Sequence, residues 1–408
     1  MQNIKVNRKK NKQILAALVM GMNFVNTIAP AAVAMQKLPT EGKSQLQMVK
    51  SKAKPLEYVS LPQSLEFVDD LIFGKAEAAV ISVGAGQTST LPTLASGDFM
   101  NIYSGGTGTV STMNGGSQVI SGGGTGTVSS LNGSGYQSIH GGTGTISTMS
   151  SGTQTVSSGG TGIIGTFING RQNVTEGSGT ISTMSGGTQN IYSGATGTVS
   201  AMRYGGIQNV RNGGTGTIST MSAGLQYIHS GGTGTVSTMM SGGYMNISSG
   251  GAGVVSTMSG GLQYIRNGAT GVVSAMSGGI QYIRSGGTSR DTMIYGGIQL
   301  IANGGTANNT IVNGGTAAIL GAGAAVEDVT MTGGEYLLGT DGGTYYINGN
   351  FGFSGGNFDM TKNISGSTPG SYETLNIDNL QHGGGTFIMD TDLASETNGD
   401  EIYITSAN

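Results

Sequence analysis

The ten residues "GGTGTISTMS" at 141–150 return letter for letter at 213–222, an offset of 72, which is four times 18. Such a segment offers one isoleucine and one methionine to bury, so its restatement carries more information than its composition. Working outward from it, the bulky apolar residue recurs as Leu94, Met113, Leu131, Met149, Phe167, Met184, Met202, Met221, Met239, Met258 and Met276, in steps of 17 to 19 residues. The series continues less strictly through Ile294 and Val312. A second column is glutamine: Gln118, Gln137, Gln154, Gln172, Gln189, Gln208, Gln226, Gln263, Gln281 and Gln299, with Met245 standing in once. Two residues after each of these sits Ile or Val, from Ile120 to Ile301.

A fixed period in this range is the mark of a solenoid. Leucine-rich repeats have similar lengths but need several leucines per turn, and each repeat here has about three residues to bury. The segments between Gly-Gly pairs are five to eight residues long and rich in Thr, Val, Ile and Tyr, which is strand length and strand composition. The expected fold is therefore all-β, a right-handed parallel β-helix (β-solenoid) with coils of ~18 residues over 82–349. At about 4.8 Å per coil, roughly 15 coils would extend roughly 70 Å. Composition agrees: 77 glycines suit tight corners, expected to hold most of them, and would penalise a helical protein. Only 10% of residues are charged, against about 25% in an ordinary globular domain.

Variation between copies shows which way side chains point. In "SGGLQYIRN" (259–267), counted from the first glycine, the fourth and sixth positions are nearly constant while the third, fifth and seventh vary freely. Alternate residues of a strand face opposite sides, so the constant set points inward. Stacked inside, the glutamine amides can donate and accept in a continuous ladder; the alternative is a corner where each Gln reaches solvent. The methionines read as core filler, because flexible Met tolerates rungs of unequal length.

The outward set changes character between residues 207 and 298. It becomes Ile207, Leu225, Leu262, Ile280 and Ile298 at the third position, with Tyr227, Tyr264 and Tyr282 at the fifth. Arg211, His229, Arg266 and Arg284 occupy the seventh. Stacked coils would align these as an apolar-aromatic stripe edged with cations, either an interaction site or aromatic pairs that only stabilise the sheet.

Ten of the 18 Lys and Arg fall within residues 1–54, and Lys75 is an eleventh. From Val80 onward 7 basic residues meet 15 acidic ones, giving about −8, which is no footprint for nucleic acid. The N-terminus reads as an export signal over 1–34. Lys5 to Lys12 supply the positive region, an apolar core follows, and Ala32 and Ala34 form the small-residue cleavage pattern. The alternatives are a membrane anchor, or an extended signal ending at Ala76-Glu77-Ala78. Residues 35–81 read as a linker or N-terminal cap. An exported chain with no cysteine has to be stabilised by backbone pairing and packing.

No catalytic constellation can be assembled. "GTGTVS" and "GAGAAVE" lack the strand-then-helix setting of a phosphate loop, and His140 and His229 stand 89 residues apart. The acidic group Asp390, Asp392, Glu396, Asp400 and Glu401 reads as a solvated turn pair, with calcium as the alternative but without the regular spacing of known loops. The expectation is a non-enzyme with no cofactor and no metal.

With these residues in hand, "SGGTQNIYSGATGTVSAM" (185–202) and "SGTQTVSSGGTGIIGTF" (151–167) resemble the AIDA-type repeat of autotransporter adhesins, the passengers of type V secretion. The resemblance covers about residues 82–320. "LNIDNLQHGGGTFIMDTDLASETNGDEIYITSA" (375–407) resembles the closing segment of pertactin-like passengers, so 350–408 is expected to be the passenger end, without the translocating barrel. The resemblance implies a cell-surface, outer-membrane or secreted adhesin. Its implied partners are host or sister-cell surface molecules, glycans among them, or further copies of itself. Contact with the outer membrane is expected only through a barrel missing from this chain. The alternatives are a scaffold carrying hydroxyl-linked glycans and a truncated passenger fragment that is not displayed.

Overall fold

Most repeats contain a short and a long strand, which the coils at Ala252–Ile265, Thr270–Ile283 and Thr288–Ile301 join into one, and alternation decides both. In Thr188–Ile191 (TQNI) Gln189 and Ile191 are buried and their neighbours are half-buried. In Thr196–Met202 (TGTVSAM) Gly197, Val199 and Met202 are buried. Two buried positions two apart, then a third after three residues, mean that the strand changes phase at Ser200. That serine drops out of the pairing: Val199 pairs with Ile218 and Ala201 with Thr220, while Ser200 has no partner in the ladder.

Every long strand pairs in parallel with the long strand one coil away, and every short strand with the next short strand. Gln189 lies opposite Gln208, Met202 opposite Met221, and Ile207 opposite Leu225. The computed structural model describes residues 78–339, 342–363, 366–367, 372–392 and 398–408. Within them the chain is an all-β parallel solenoid of about 15 turns with no helix. The expected leader with Ala32 and Ala34, and nearly all of the expected linker, lie outside the described residues. Among the described residues no helix is long and apolar enough to cross a membrane.

The corner after the short strand shows why glycine is needed. Gly194 has φ +73°, a left-handed conformation that costs a side-chain-bearing residue roughly 1–2 kcal/mol. The amides of Gly194, Gly213, Gly231, Gly250, Gly268, Gly286 and Gly304 each donate to the corresponding glycine carbonyl of the following coil, at 2.6–3.1 Å. Strand amides in the same coils donate the other way, as Thr196 does to Gly177.

The core is a set of axial columns. Gln189, Ile191, Val199 and Met202 are all 0% exposed, as are their equivalents in neighbouring coils. The columns run on past residue 349, within the strand Thr344–Asp359, which pairs with Ala325–Leu338 on one side and Thr374–Ile388 on the other. The final strand, Glu401–Ala407, sets Ile402 opposite Leu375 and Ile404 opposite Ile377, and Ile404 is exposed.

Candidate functional site

The interior column fixes the outer surface. Apart from Gln118 and Gln263, which donate to the thioethers of Met100 and Met245, each buried glutamine donates its amide to the Oε1 of the glutamine one coil earlier. The Nε2 atoms of Gln137, Gln154, Gln172, Gln189, Gln208 and Gln226 reach the preceding oxygen at 2.6–2.7 Å. The second proton of most of them goes to a glycine carbonyl of the neighbouring long strand, as from Gln208 to Gly197 at 3.3 Å. Gln281 and Gln299 continue the run at 2.8 Å.

The ladder has a direction, so one missing rung leaves one orphan. Met245 occupies the eighth rung, and Gln263 donates to its thioether at 3.5 Å. A thioether donates nothing back, and the Gln226 Oε1 below it has no protein partner. At the far end hydroxyls close the run: Ser289 and Thr292 donate to Gln281 at 3.1 and 3.2 Å, and Thr310 to Gln299 at 3.2 Å.

Sequence reasoning placed glycines at corners and overlooked a second set inside the strands. Gly108, Gly126, Gly144, Gly162, Gly179, Gly197, Gly216, Gly234, Gly253 and Gly271 face inward beneath the ladder. A Cβ on Gly216 would stand 2.6 Å from Gln208 Oε1 and 2.4 Å from a Val210 methyl. The signal was present: the second residue of every "TGTV" copy is glycine, on the same side as the valine. These glycines make room for amides, which is the structural reason that "GTGTVS" recurs.

On the outer surface, the register gathers the predicted residues on one face. The third-position column runs Ile207, Leu225, Tyr244, Leu262, Ile280, Ile298. The fifth runs Asn209, Tyr227, Asn246, Tyr264, Tyr282, Leu300. Backbone bonds between coils align Arg211, His229, Ser248, Arg266 and Arg284 at the seventh. The third and fifth columns are half-buried apart from Asn246, which is buried, while Arg211, His229, Arg266 and Arg284 are exposed.

The face is knitted by its aromatic rings. Tyr264 and Tyr282 meet edge to face at 5.2 Å, and Tyr227 and Tyr244 at 6.3 Å. Arg266 lies 5.0 Å and Arg284 5.7 Å from the Tyr264 ring centre, and Arg211 lies 5.5 Å from that of Tyr192. Arg266 Nε also donates to Asn246 Oδ1 at 3.0 Å. Burial, and then the Arg211 charge, push the His229 pKa below the ordinary imidazole value. Toward the N-terminal side the same face turns hydrophilic: Asn190 donates to Asn173 at 2.8 Å and Asn209 to Asn190 at 2.9 Å, an outer amide ladder that sequence reading did not single out.

The remaining candidates are structural in geometry. His140 bridges Ser138 at 2.9 Å and Ser157 at 2.8 Å, which ties two coils together on the outside. Asp400 accepts the backbone amides of Glu373 and Asp390 at 2.9 and 2.7 Å, so its carboxylate staples the C-terminal turns. Burial, and then the charges of Asp400 and Asp359, push the Asp390 pKa up. Glu396 lies outside the described residues. Tyr204, 80% exposed with φ +31°, marks a different corner, beside Arg203 and Met240.

Comparison with known proteins adds a likeness in structure. No family model matches the chain, and no curated protein matches it. Among solved structures it is similar to the crystal structure of the TibC-catalysed hyper-glycosylated TibA fragment 55–350, at 24% identity and a TM-score of 0.38, covering 81% of this chain and 96% of that one.

Proposed function

We propose that this chain is an adhesin-like passenger, exported and presented at the cell surface or released, that attaches through the face formed by its third, fifth and seventh columns. The observation that carries this reading is that face itself. Tyrosines and aliphatic residues stand in register over the coils from Ile207 to Ile298, beside arginines that no carboxylate among the described residues neutralises. Tyr and Arg dominate binding hot spots, and a solenoid repeats modest contacts along one line, which multiplies weak affinities. The role is binding, not catalysis, and the repeats resembling the AIDA type agree with it.

The test uses the full chain immobilised on beads, offered to host cells and to sister cells. Replacing Tyr264, Tyr282, Arg266 and Arg284 together by Ser is expected to lower attachment and bead clumping at least tenfold while the variant keeps its β circular dichroism and cooperative unfolding, with a midpoint lowered only by the lost ring contacts. Unchanged attachment by the well-folded variant would refute the assignment.

A second reading has its own observation. Ser111, Ser129, Ser147, Ser182, Ser200, Ser219, Ser237, Ser256 and Ser274 form an exposed row at the phase change of the long strand. That row suits a scaffold carrying hydroxyl-linked glycans, and the intact mass of the exported protein distinguishes the two.

A further inference from the structure

Charge on this protein is segregated in a way that points to a ligand. Residues 177–290 contain five arginines and no Asp or Glu, while the remainder from Val80 onward holds two basic and 15 acidic residues. Three of the five arginines, Arg211, Arg266 and Arg284, share the seventh column with His229. None of the three has an ion pair among the described residues. Their contacts with Tyr192 and Tyr264 are to ring faces, and such contacts consume no N–H donor. Arg266 also spends its Nε on Asn246 Oδ1 and bonds the Tyr244 hydroxyl, so the forks with most donors left for a carboxylate or sulfate in bidentate fashion are those of Arg211 and Arg284, with Arg266 adding its charge between them.

Spacing narrows the partner. Equivalent positions on successive coils lie about 4.8 Å apart, so Arg211 and Arg284, four coils apart, are separated by roughly 19 Å along the axis. A pyranose unit in an extended chain is similar in length to one coil, so a linear polysaccharide laid along the axis stays in phase with the column. The adjoining column offers the rings of Tyr227, Tyr264 and Tyr282, whose apolar faces and polar tips suit sugar rings. At Ser248 the cations are interrupted, so a chain must pass that coil to engage both Arg211/His229 and Arg266/Arg284.

We propose, resting on the binding face assigned above, that the Arg211–Arg284 column and its tyrosines bind a linear acidic polysaccharide along the solenoid axis, one sugar unit per coil. Nucleic acid fits less well, because the basic groups form a single file on a chain that is acidic elsewhere.

The experiment measures binding of the purified full chain to polygalacturonate, heparin, neutral dextran and single-stranded DNA by calorimetry at low and at moderate salt. Binding to polygalacturonate or heparin is expected, the preferred one identifying carboxylate or sulfate as the partner group, with affinity falling as salt rises and dextran inert. Oligosaccharides long enough to pass Ser248 should bind at least tenfold tighter than disaccharides. R266Q/R284Q should weaken binding tenfold or more, and R171Q, outside the cationic run, should leave it unchanged. Absence of binding to either acidic glycan, equal binding by R266Q/R284Q, or preference for DNA would each overturn the proposal. If beads bearing the chain attach through the tyrosine-arginine face while neither glycan binds or competes, this proposal fails and the adhesive reading stands. Attachment indifferent to that face removes the adhesive reading itself.

Discussion

One inward column is filled in two ways along this solenoid. From Gln118 to Gln299 it is a row of amides joined at 2.6–2.8 Å, interrupted at Met245. Beyond Gln299 the same column continues as Ala317, Tyr336, Phe358 and Phe387. Tyr336 stacks on Phe358 at 5.2 Å with 7° between the rings, and Phe387 packs on Phe353 at 4.9 Å. The amide row tolerates little: most rungs are at once donor and acceptor, and from Gln118 to Gln263 the inward position beside each is glycine, replaced by Ser289 and Ala307 only at the last two. The aromatic end demands only volume and shape. Coil length follows that difference, since the step is 18 residues from Gln281 to Gln299 but 22 from Tyr336 to Phe358 and 29 from Phe358 to Phe387.

The largest break in this contrast should come from the inward glycines. G216V would drive a side chain into Gln208 and Val210, where even a Cβ stands at 2.6 and 2.4 Å, and should cost about 3 kcal/mol through overpacking. At the corner, G194A meets nothing within 4 Å and should cost about 1 kcal/mol for its left-handed backbone. Urea unfolding of the two variants side by side checks the ordering.

A smaller gap should separate rung substitutions in the two regions. Q208L leaves the Gln189 Oε1 without the donor it has at 2.7 Å, a buried orphan worth about 1–3 kcal/mol. F358L removes ring contacts but orphans no polar atom, and should cost about 1 kcal/mol. Equal losses in thermal unfolding would contradict a special role for the amides.

Two substitutions should stabilise. M245Q supplies the donor that Gln226 Oε1 lacks, and Y336F removes a buried hydroxyl with no partner. Each should add about 1 kcal/mol, read as a raised urea midpoint. Burial also pushes the Tyr336 pKa up, so its phenol should not titrate in the alkaline absorbance of the folded chain.

The least effect concerns pH. The His229 pKa is lower folded than unfolded, so below the ordinary imidazole value the unfolded chain holds more protons. Stability should rise with pH through that window and level off above it. H229Q should slightly reduce this slope in unfolding midpoints taken between pH 5 and pH 7, a window about the ordinary imidazole pKa of roughly 6.5.

Much of the repeat region could be read directly, because one chain supplied its own comparison. Ten near-identical copies separate constant from variable positions, and alternation turns that into inside and outside; Gln208 and Tyr264 fell on opposite faces for that reason alone. Gly197 and Gly216 were missed because glycine has two uses here, and abundance at the corners concealed the buried set. The direction of the ladder, and hence the orphan at Gln226, depends on amide orientation, which letters do not encode. The aromatic end was less legible, since coils of unequal length destroy the period that made Ile207 and Leu225 recognisable as neighbours. Side-chain partners such as Asp400 with the amides of Glu373 and Asp390 have no repeat behind them at all.

Selective 15N labelling of glutamine followed by hydrogen exchange tests the amide column most directly. The side-chain amides of the column should exchange as slowly as the backbone amides of the strands that carry them, with Gln263, which donates to the Met245 thioether at 3.5 Å, and Gln118, which donates to that of Met100 at 3.4 Å, the fastest of the set. Exchange of these side chains at the rate of free glutamine would mean that the amides face water and that coils do not stack through them.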